Sequence, residues 1–311
     1  MKTNEDIKAV VKEIAVPSAG CNLVEIDSYL WGKNENGDFV FGFNSKNKLV
    51  VPLIQSTKFL KLFINCDFKV FIDDLEEIKK ISLLVLTNHD EKSVDVFISL
   101  CLSMSYELDE EKLYKNYIEL KNLFSNERKI SKTELVGLFG EFFAMYLLKT
   151  ESDCDISNFY QKEDRRKFDF SITDKKKIDV KTTLKPERIH HFLQQQLDTN
   201  RYDVKIISLM LQFDDAGLSM SDLLTECKKI FCANLPLMVR IETILKNTSQ
   251  EELNDFRVNY EYIRNAFRIV DGINIPRIKE KNDDGVFNVE FDSDLTNTPY
   301  LNVCEFFNWL K

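Results

Sequence analysis

The stretch KFDFSITDKKKIDVKTTLKPERIHH, Lys167 to His191, carries the strongest structural signal in the chain. Its segment KKKIDVKTTL alternates apolar and polar residues and places Asp179 and Lys181 on one face, which is the pattern of a strand with its other face in the core. Upstream, FDFSI alternates in the same way, with Asp169 as its polar residue. The polar run 173–177 between these segments predicts a turn, so the stretch predicts a β-hairpin.

The register of this hairpin decides whether Asp169 reaches the same face. Residues directly opposite each other in an antiparallel pair point to one face of the sheet. Asp169 therefore joins Asp179 and Lys181 only if the turn contains an odd number of residues or a bulge. A three-residue loop meets this condition, whereas an even turn would place Asp169 on the core face.

A predicted helix precedes the hairpin in SKTELVGLFGEFFAMYLLK, residues 131–149. Ser131 starts a Ser-x-x-Glu capping box, and the following residues are almost all apolar, which predicts a helix buried on most sides. Glu141 is the only charge in that apolar run, and a buried carboxylate needs a cation, a donor or a metal nearby. Gly137 and Gly140 each weaken the helix by about 1 kcal/mol relative to Ala, which predicts the close approach of another backbone there.

A known family shows the same order of residues. Four residues resemble the active-site motif of the PD-(D/E)XK nuclease superfamily: Glu141 in GLFGE, Asp169 in FDF, and Asp179 and Lys181 in IDVKTT. Downstream, RIHHFLQQQL and IISLMLQF are similar to a branch of that superfamily found in restriction-modification gene clusters. Phe168 stands where the motif's name has proline. The resemblance covers roughly residues 131–235.

The resemblance implies a metal-dependent DNA endonuclease that hydrolyses phosphodiester bonds, as the cleavage component of a restriction or phage-defence system. The alternative is a catalytically inactive protein that keeps the nuclease fold as a DNA-binding or assembly module. Two measurements separate these interpretations, namely metal binding and cleavage of DNA.

The residue types suit this chemistry. The carboxylates of Asp169 and Asp179, with the carbonyl of Val180, are hard oxygen ligands of the kind that Mg²⁺ (or Mn²⁺) prefers. Glu141 would hold a metal-bound water or a second ion, and Lys181 would position or deprotonate the attacking water and offset phosphate charge. Because Asp/Glu-x-Lys recurs throughout the chain, an exposed ion pair is the alternative interpretation of this motif.

A helix is predicted over 186–198, because Pro186 suits a first helical turn. The candidates for nucleic-acid contact lie on or near it: Lys185, Arg188, His190 and Gln196. Residues 162–188 contain ten Lys or Arg against six acids, a local excess of four positive charges that attracts phosphate. For Arg188 and His190, capping or packing of the helix is an equal alternative.

Composition restricts the function classes. The chain has 311 residues, is 44% hydrophobic and has a net charge of −9, which argues against a protein that coats nucleic acid indiscriminately. Seven cysteines without C-x-x-C pairs and three histidines indicate neither a zinc site nor a disulfide framework. We expect no targeting signal, no membrane span and a cytoplasmic location. The chain has weak basic character and no evident motif that contacts base edges, which predicts that other subunits supply DNA targeting. A homodimer is left open.

We predict an α/β protein with three regions. These are an N-terminal β-rich (α+β) domain over 1–125, a PD-(D/E)XK-type mixed sheet flanked by helices over 126–235, and a C-terminal α+β extension over 236–311 that packs on the core. Besides the elements above, strands are expected at 23–31, 38–44, 49–53, 59–64, 69–72, 81–86, 95–104, 204–213, 260–270 and 286–291. Further helices are expected at 4–14, 110–124, 219–231, 237–245, 250–258 and 301–310.

Overall fold

The computed structural model describes residues 3–45, 51–72, 75–105, 108–125, 129–161, 167–278 and 288–311. Its α-helices are α1 (Asn4–Glu13), α2 (Glu91–Met104), α3 (Glu110–Ser125), α4 (Lys132–Ser152), α5 (Met220–Ile230), α6 (Leu235–Asn247), α7 (Gln250–Asp255), α8 (Tyr260–Ala266) and α9 (Val303–Leu310). Its strands are β1 (Cys21–Ile26), β2 (Tyr29–Asn34), β3 (Phe39–Asn44), β4 (Leu53–Ser56), β5 (Leu60–Ile72), β6 (Leu75–Leu86), β7 (Phe170–Ser171), β8 (Lys176–Thr183), β9 (Ile189–Leu193), β10 (Asp203–Met210), β11 (Phe213–Ser219), β12 (Arg257–Val258), β13 (Arg268–Asp271), β14 (Glu290–Asp294) and β15 (Tyr300–Leu301). The predicted strands over 49–53 and 286–291 lie partly outside the described residues. Among these helices, none is both long and apolar enough to cross a membrane.

The chain divides into two compact units. One unit comprises Met1–Arg128 and Cys232–Lys246, and the other comprises Lys129–Phe231 and Asn247–Lys311. This division differs from the three regions suggested by the sequence, because the segment 236–311 is shared between the two units.

The first unit contains a six-stranded sheet in the order β1-β2-β3-β6-β5-β4. Its strand β5 is long enough to pair with β4 through its first half and, in parallel, with β1 through its second half, so the sheet closes on itself. A bulge between Phe63 and Cys66 bends β5 between these two pairings. The interior is apolar and is filled by Cys21, Leu23, Leu30, Val40, Val70, Ile81, Leu83 and Val85.

The strand predictions over 95–104 and 23–31 are wrong, and those over 59–64 and 69–72 are one continuous strand, β5. The segment 95–104 belongs to helix α2, because Asp90 caps its N-terminus by accepting a hydrogen bond from the Ser93 amide, and its apolar residues also recur at helical spacing. The segment 23–31 is two strands rather than one, since Asp27 and Ser28 take positive φ values of 51° and 70° and turn the chain between β1 and β2.

The second unit is built on the predicted mixed sheet flanked by helices. The five strands have the order β15-β13-β10-β8-β7, with β8 parallel to β10 and the other neighbours antiparallel. Helix α4 packs against β8 on one face. An apolar cluster contains residues of the sheet, of β9 and of the segments around them: Phe168, Phe192, Leu197, Val204, Ile206, Val270, Ile275 and Leu295.

The two glycines of α4 have different surroundings. A Cβ atom at Gly140 would overlap Oγ1 of Thr182 on β8, whereas nothing lies within 4 Å of one at Gly137. The predicted close approach therefore exists at Gly140 alone, and a side chain rather than a backbone makes it. Ser131 caps the helix as predicted, accepting a hydrogen bond from the amide of Glu134.

The helix predicted over 186–198 is wrong. The chain instead forms β9, which pairs antiparallel with β14, and then a short 3₁₀ turn over Gln194–Leu197. In β9 the side chains alternate, with His190 and Phe192 buried and His191 exposed. This alternation is typical of a strand. The partner strand, β14, lies about a hundred residues later in the chain.

The strand predicted over 260–270 is also wrong in its first part. Asn259 caps helix α8 by accepting a hydrogen bond from the amide of Tyr262. The chain becomes extended only at β13, which joins the central sheet beside β10. Aromatic residues such as those at 260 and 262 favour strands by propensity, but here the cap determines the local structure.

Candidate active site

The hairpin β7–β8 has the odd register that the site requires. Phe170 lies opposite Ile178, and a backbone hydrogen bond closes a three-residue loop over 173–175. Continued by one residue, this register places Asp169 opposite Asp179 on the same face. The sheet therefore brings these two aspartates together from neighbouring strands.

Asp179 and Lys181 form a buried ion pair rather than an exposed one. The Nζ atom of Lys181 lies 3.0 Å from Oδ2 of Asp179, and Asp179 is only 3% exposed. The same ammonium group lies 5.4 Å from the ring centre of Phe192 on β9. On the hairpin partner, Oδ2 of Asp169 accepts a hydrogen bond of 2.6 Å from the backbone amide of Val180.

Burial and charge shift the pKa values of these groups. Burial raises the pKa of Asp169 well above its ordinary value, and the carboxylates of Asp179 and Glu141 raise it further. Burial also raises the pKa of Asp179, against the opposing effect of Lys181. For Lys181, burial alone would lower the pKa, but the attraction of Asp179 outweighs it and the pKa is raised. Lys181 is therefore an ammonium ion at neutral pH, which favours positioning and charge compensation over deprotonation of water.

Glu141 lies near this pair but is held by another residue. It is half-buried on α4, and its Oε2 atom accepts a hydrogen bond of 2.7 Å from the hydroxyl of Tyr160. Tyr160 itself is bridged to Phe170 of β7 through the backbone. The sequence predicted that Glu141 needs a partner, but no motif marked Tyr160 as that partner.

The described residues contain no group of three or more His, Cys, Asp or Glu side chains arranged to hold a metal ion. Glu141 accepts a hydrogen bond from Tyr160 and Asp179 pairs with Lys181, while both carboxylates raise the pKa of Asp169, so the convergence of the three on one metal ion stays a prediction. The donor set nevertheless fits a hard divalent cation. Asp169 and Asp179 offer carboxylate oxygens from neighbouring strands, and a cation would stabilise their ionised forms, which burial disfavours.

Arg188 and His190 are not placed to contact nucleic acid, contrary to prediction. Arg188 is buried and donates hydrogen bonds to the hydroxyl and carbonyl of Ser208, at 2.7 and 2.9 Å, and to the carbonyl of Ala266 at 2.6 Å. His190 is buried against the same hydroxyl at 2.6 Å. Burial and the charge of Arg268 lower the pKa of Arg188 to about 10, and burial and Arg188 lower that of His190 to about 3. Both residues pack the interior of the unit.

Gln196 is likewise buried, at 5% exposure, and its amide lies between Asp179 and Lys181. Contrary to prediction, Gln196 therefore contacts the residues of the site itself and is not placed to contact nucleic acid. Lys185 alone among the four candidates is exposed, with 57% of its side chain accessible and Asp292 at 3.9 Å. Residues 162–166, which carry part of the predicted basic excess, lie outside the described part of the chain.

The chain matches the model of a known family. The model of a family described as "Putative PD-(D/E)XK family member, (DUF4420)" matches residues 32–296. This range includes the whole hairpin and helix α4. No curated protein and no solved structure matches the chain.

Proposed function

Because the chain belongs to this PD-(D/E)XK family, we propose that it is a metal-dependent DNA endonuclease and the cleavage component of a restriction or phage-defence system. Family membership supports a nuclease-like function, and superfamily members typically use divalent metals. The observation that carries the proposal is the position of Asp169 opposite Asp179, with Lys181 paired to Asp179 on the same strand face. Two acids that can hold a metal ion and an ammonium group beside them suit metal-assisted phosphodiester hydrolysis.

Each residue has a defined task in this proposal. Asp169, Asp179 and the carbonyl of Val180 would hold Mg²⁺ (or Mn²⁺), and Glu141 would hold a metal-bound water or a second ion. The bound ion would stabilise charge on the phosphate and lower the pKa of a water molecule. Lys181, which is positively charged at neutral pH, would orient the attacking water and offset phosphate charge.

DNA targeting is proposed to come from partner subunits. The net charge is −9, and of the four residues predicted to contact nucleic acid only Lys185 is exposed. Each neutralised phosphate adds a similar increment of salt-dependent affinity, so one such contact gives weak binding. The isolated chain should then cleave DNA slowly and without strong sequence choice.

A second candidate function is a nuclease-fold module without catalysis, which binds DNA or organises an assembly. One observation favours it, because the described residues do not gather three metal-binding side chains. The two candidate functions predict different metal affinities. The endonuclease needs a cation between Asp169 and Asp179, whereas an inactive module does not.

The test is a cleavage assay with the purified full chain at high protein concentration, on modified and unmodified DNA with Mg²⁺ or Mn²⁺. Metal binding is measured in parallel by calorimetry. We expect the wild type to bind metal and to cleave DNA, and Asp179→Asn to do neither. Asp67→Asn is the matched control, because Asp67-Phe68-Lys69 on β5 is an exposed Asp-x-Lys on a strand. A wild type that neither binds metal nor cuts DNA would overturn the endonuclease and favour the module.

A further inference from the structure

Gln196 is buried beside the proposed site and contacts both of its charged residues. It lies in the 3₁₀ turn that follows β9, and its amide makes four hydrogen bonds. Oε1 accepts from the Leu193 amide at 3.1 Å and from Nζ of Lys181 at 3.4 Å, and Nε2 donates to the Lys167 carbonyl at 2.7 Å and to Oδ1 of Asp179 at 3.4 Å.

The orientation of this amide is fixed by its surroundings. A backbone amide only donates and a backbone carbonyl only accepts, so Leu193 must face the amide oxygen and Lys167 must face the nitrogen. These two backbone bonds are the shorter ones, and they hold the side chain in place. The amide oxygen is thereby directed at the ammonium group of Lys181, and the amide nitrogen at the carboxylate of Asp179.

A neutral amide suits this position chemically. It offers an acceptor to the cation and a donor to the anion at once, without adding charge to a buried site. Oδ2 of Asp179 faces Lys181, while Oδ1 faces Gln196, so the two groups together set the rotation of the carboxylate. Lys181 gains a second acceptor besides Asp179, and the ring of Phe192 lies on another side of its ammonium group.

We propose that Gln196 is a positioning residue that holds Asp179 and Lys181 in a fixed mutual orientation, so that the carboxylate is presented to a metal ion while the ammonium group keeps its place. This inference rests on the proposed nuclease function. Residues that orient metal ligands through hydrogen bonds typically contribute about 10- to 100-fold in metal affinity or activity. Gln196 therefore acts through Asp179 and Lys181, and no contact with DNA is assigned to it.

The test compares Gln196→Ala and Gln196→Met with Gln195→Ala in the full-length protein. Gln195 is the matched control, since it is the same residue type in the same turn but is exposed. The Met side chain keeps the volume of Gln and removes both hydrogen-bonding groups, so it covers the case in which the Ala variant fails to fold. The readouts are the Mn²⁺ dissociation constant by calorimetry, kcat and KM on a DNA oligonucleotide, and the thermal unfolding midpoint.

We expect both Gln196 variants to bind Mn²⁺ about tenfold more weakly and to lose about 10- to 100-fold in kcat, with KM nearly unchanged. Gln195→Ala should match the wild type. Reduced thermal stability with wild-type Mn²⁺ affinity and kcat would show a merely structural role and overturn the proposal. If the wild type binds Mn²⁺ but cleaves nothing, the nuclease function fails, while weaker Mn²⁺ binding by the Gln196 variants still supports the positioning role. A wild type that binds no Mn²⁺ overturns both.

Discussion

Nζ of Lys181 lies 3.0 Å from Oδ2 of Asp179, on one strand face and two residues apart in sequence. This pair is neutral as a whole, but the hairpin brings a second carboxylate, Asp169, to the same point. The burial of these groups makes the excess negative charge costly, as the raised pKa of Asp169 indicates. When both aspartates are ionised, the two acids and Lys181 carry one net negative charge, which a bound cation would offset.

Replacement of Lys181 by Ala should abolish cleavage without loss of metal binding. The variant lacks the group that orients water and offsets phosphate charge, so we expect kcat to fall by at least about a hundredfold. Its Mn²⁺ affinity should equal or exceed that of the wild type, because a competing cation has been removed. Lys69→Ala, in the exposed Asp-x-Lys of β5, is the control. Wild-type cleavage by Lys181→Ala would refute the role assigned to Lys181.

The sequence predicted the hairpin because its signal is local. Alternation of apolar and polar residues defines both strands, and the polar run 173–177 marks the turn, although the sequence leaves its loop length open. The position of Asp169 opposite Asp179 could therefore be expressed as a condition on the length of the turn, and the register of β7 and β8 meets that condition.

The segment after the hairpin could not be predicted in the same way. Pro186 and the run of glutamines favour a helix by propensity, but β9 pairs with β14, whose residues lie about a hundred positions later. That long-range pairing buries His190 and Phe192 and directs Gln196 into the site. Tyr160, the partner of Glu141, lies equally outside any recognisable motif, since a single tyrosine carries no spacing signal.

The two glycines of α4 give a matched pair of stability variants. Gly137→Ala should stabilise the protein by up to about 1 kcal/mol, because the new Cβ meets nothing and Ala is the better helix former. Gly140→Ala should destabilise it by about 1–3 kcal/mol, because the new Cβ overlaps the stiff side chain of Thr182 on β8. Urea unfolding of both variants measures the difference. Equal effects at the two positions would show that α4 does not pack on β8 at Gly140.

His190 should make stability depend on pH. Burial lowers its pKa to about 3, so the folded protein holds this ring neutral while the unfolded chain takes up a proton near the ordinary value of 6.5. The stability from this residue is complete above about pH 6.5 and is lost as the pH falls toward 3. Between pH 6.5 and 4.5 the loss is roughly 2–3 kcal/mol, at 1.36 kcal/mol per pH unit.

The comparison for this residue is His190→Gln, with urea unfolding measured at pH 6.5 and 4.5. The variant should be less stable at pH 6.5, since it packs less well beside Ser208, but its stability should decline less on acidification. Parallel declines in the two proteins would mean that His190 is protonated equally in the folded and unfolded states.

Lys185 and Arg188 should respond differently to replacement by Ala, although the sequence suggested the same role for both. Lys185 is exposed, so Lys185→Ala should weaken DNA binding several-fold and reduce the slope of log affinity against log salt by about 1, with unchanged stability. Arg188 is buried, and its loss removes the guanidinium donor from Ser208 and from the Ala266 carbonyl. Arg188→Ala should therefore cost about 3 kcal/mol of unfolding free energy while the salt slope stays that of the wild type.

Fluorescence anisotropy with a labelled duplex over a series of salt concentrations measures the slope, and urea unfolding measures stability. A folded Arg188→Ala variant with wild-type stability and a smaller salt slope would support the phosphate contact that the sequence suggested for Arg188. The buried position of Arg188 argues against that outcome, because a guanidinium group that already donates to Ser208 and Ala266 has to leave both before it can reach a phosphate. The salt dependence of DNA binding thus distinguishes the exposed Lys185 from the buried Arg188. The charge pattern of the sequence does not distinguish them.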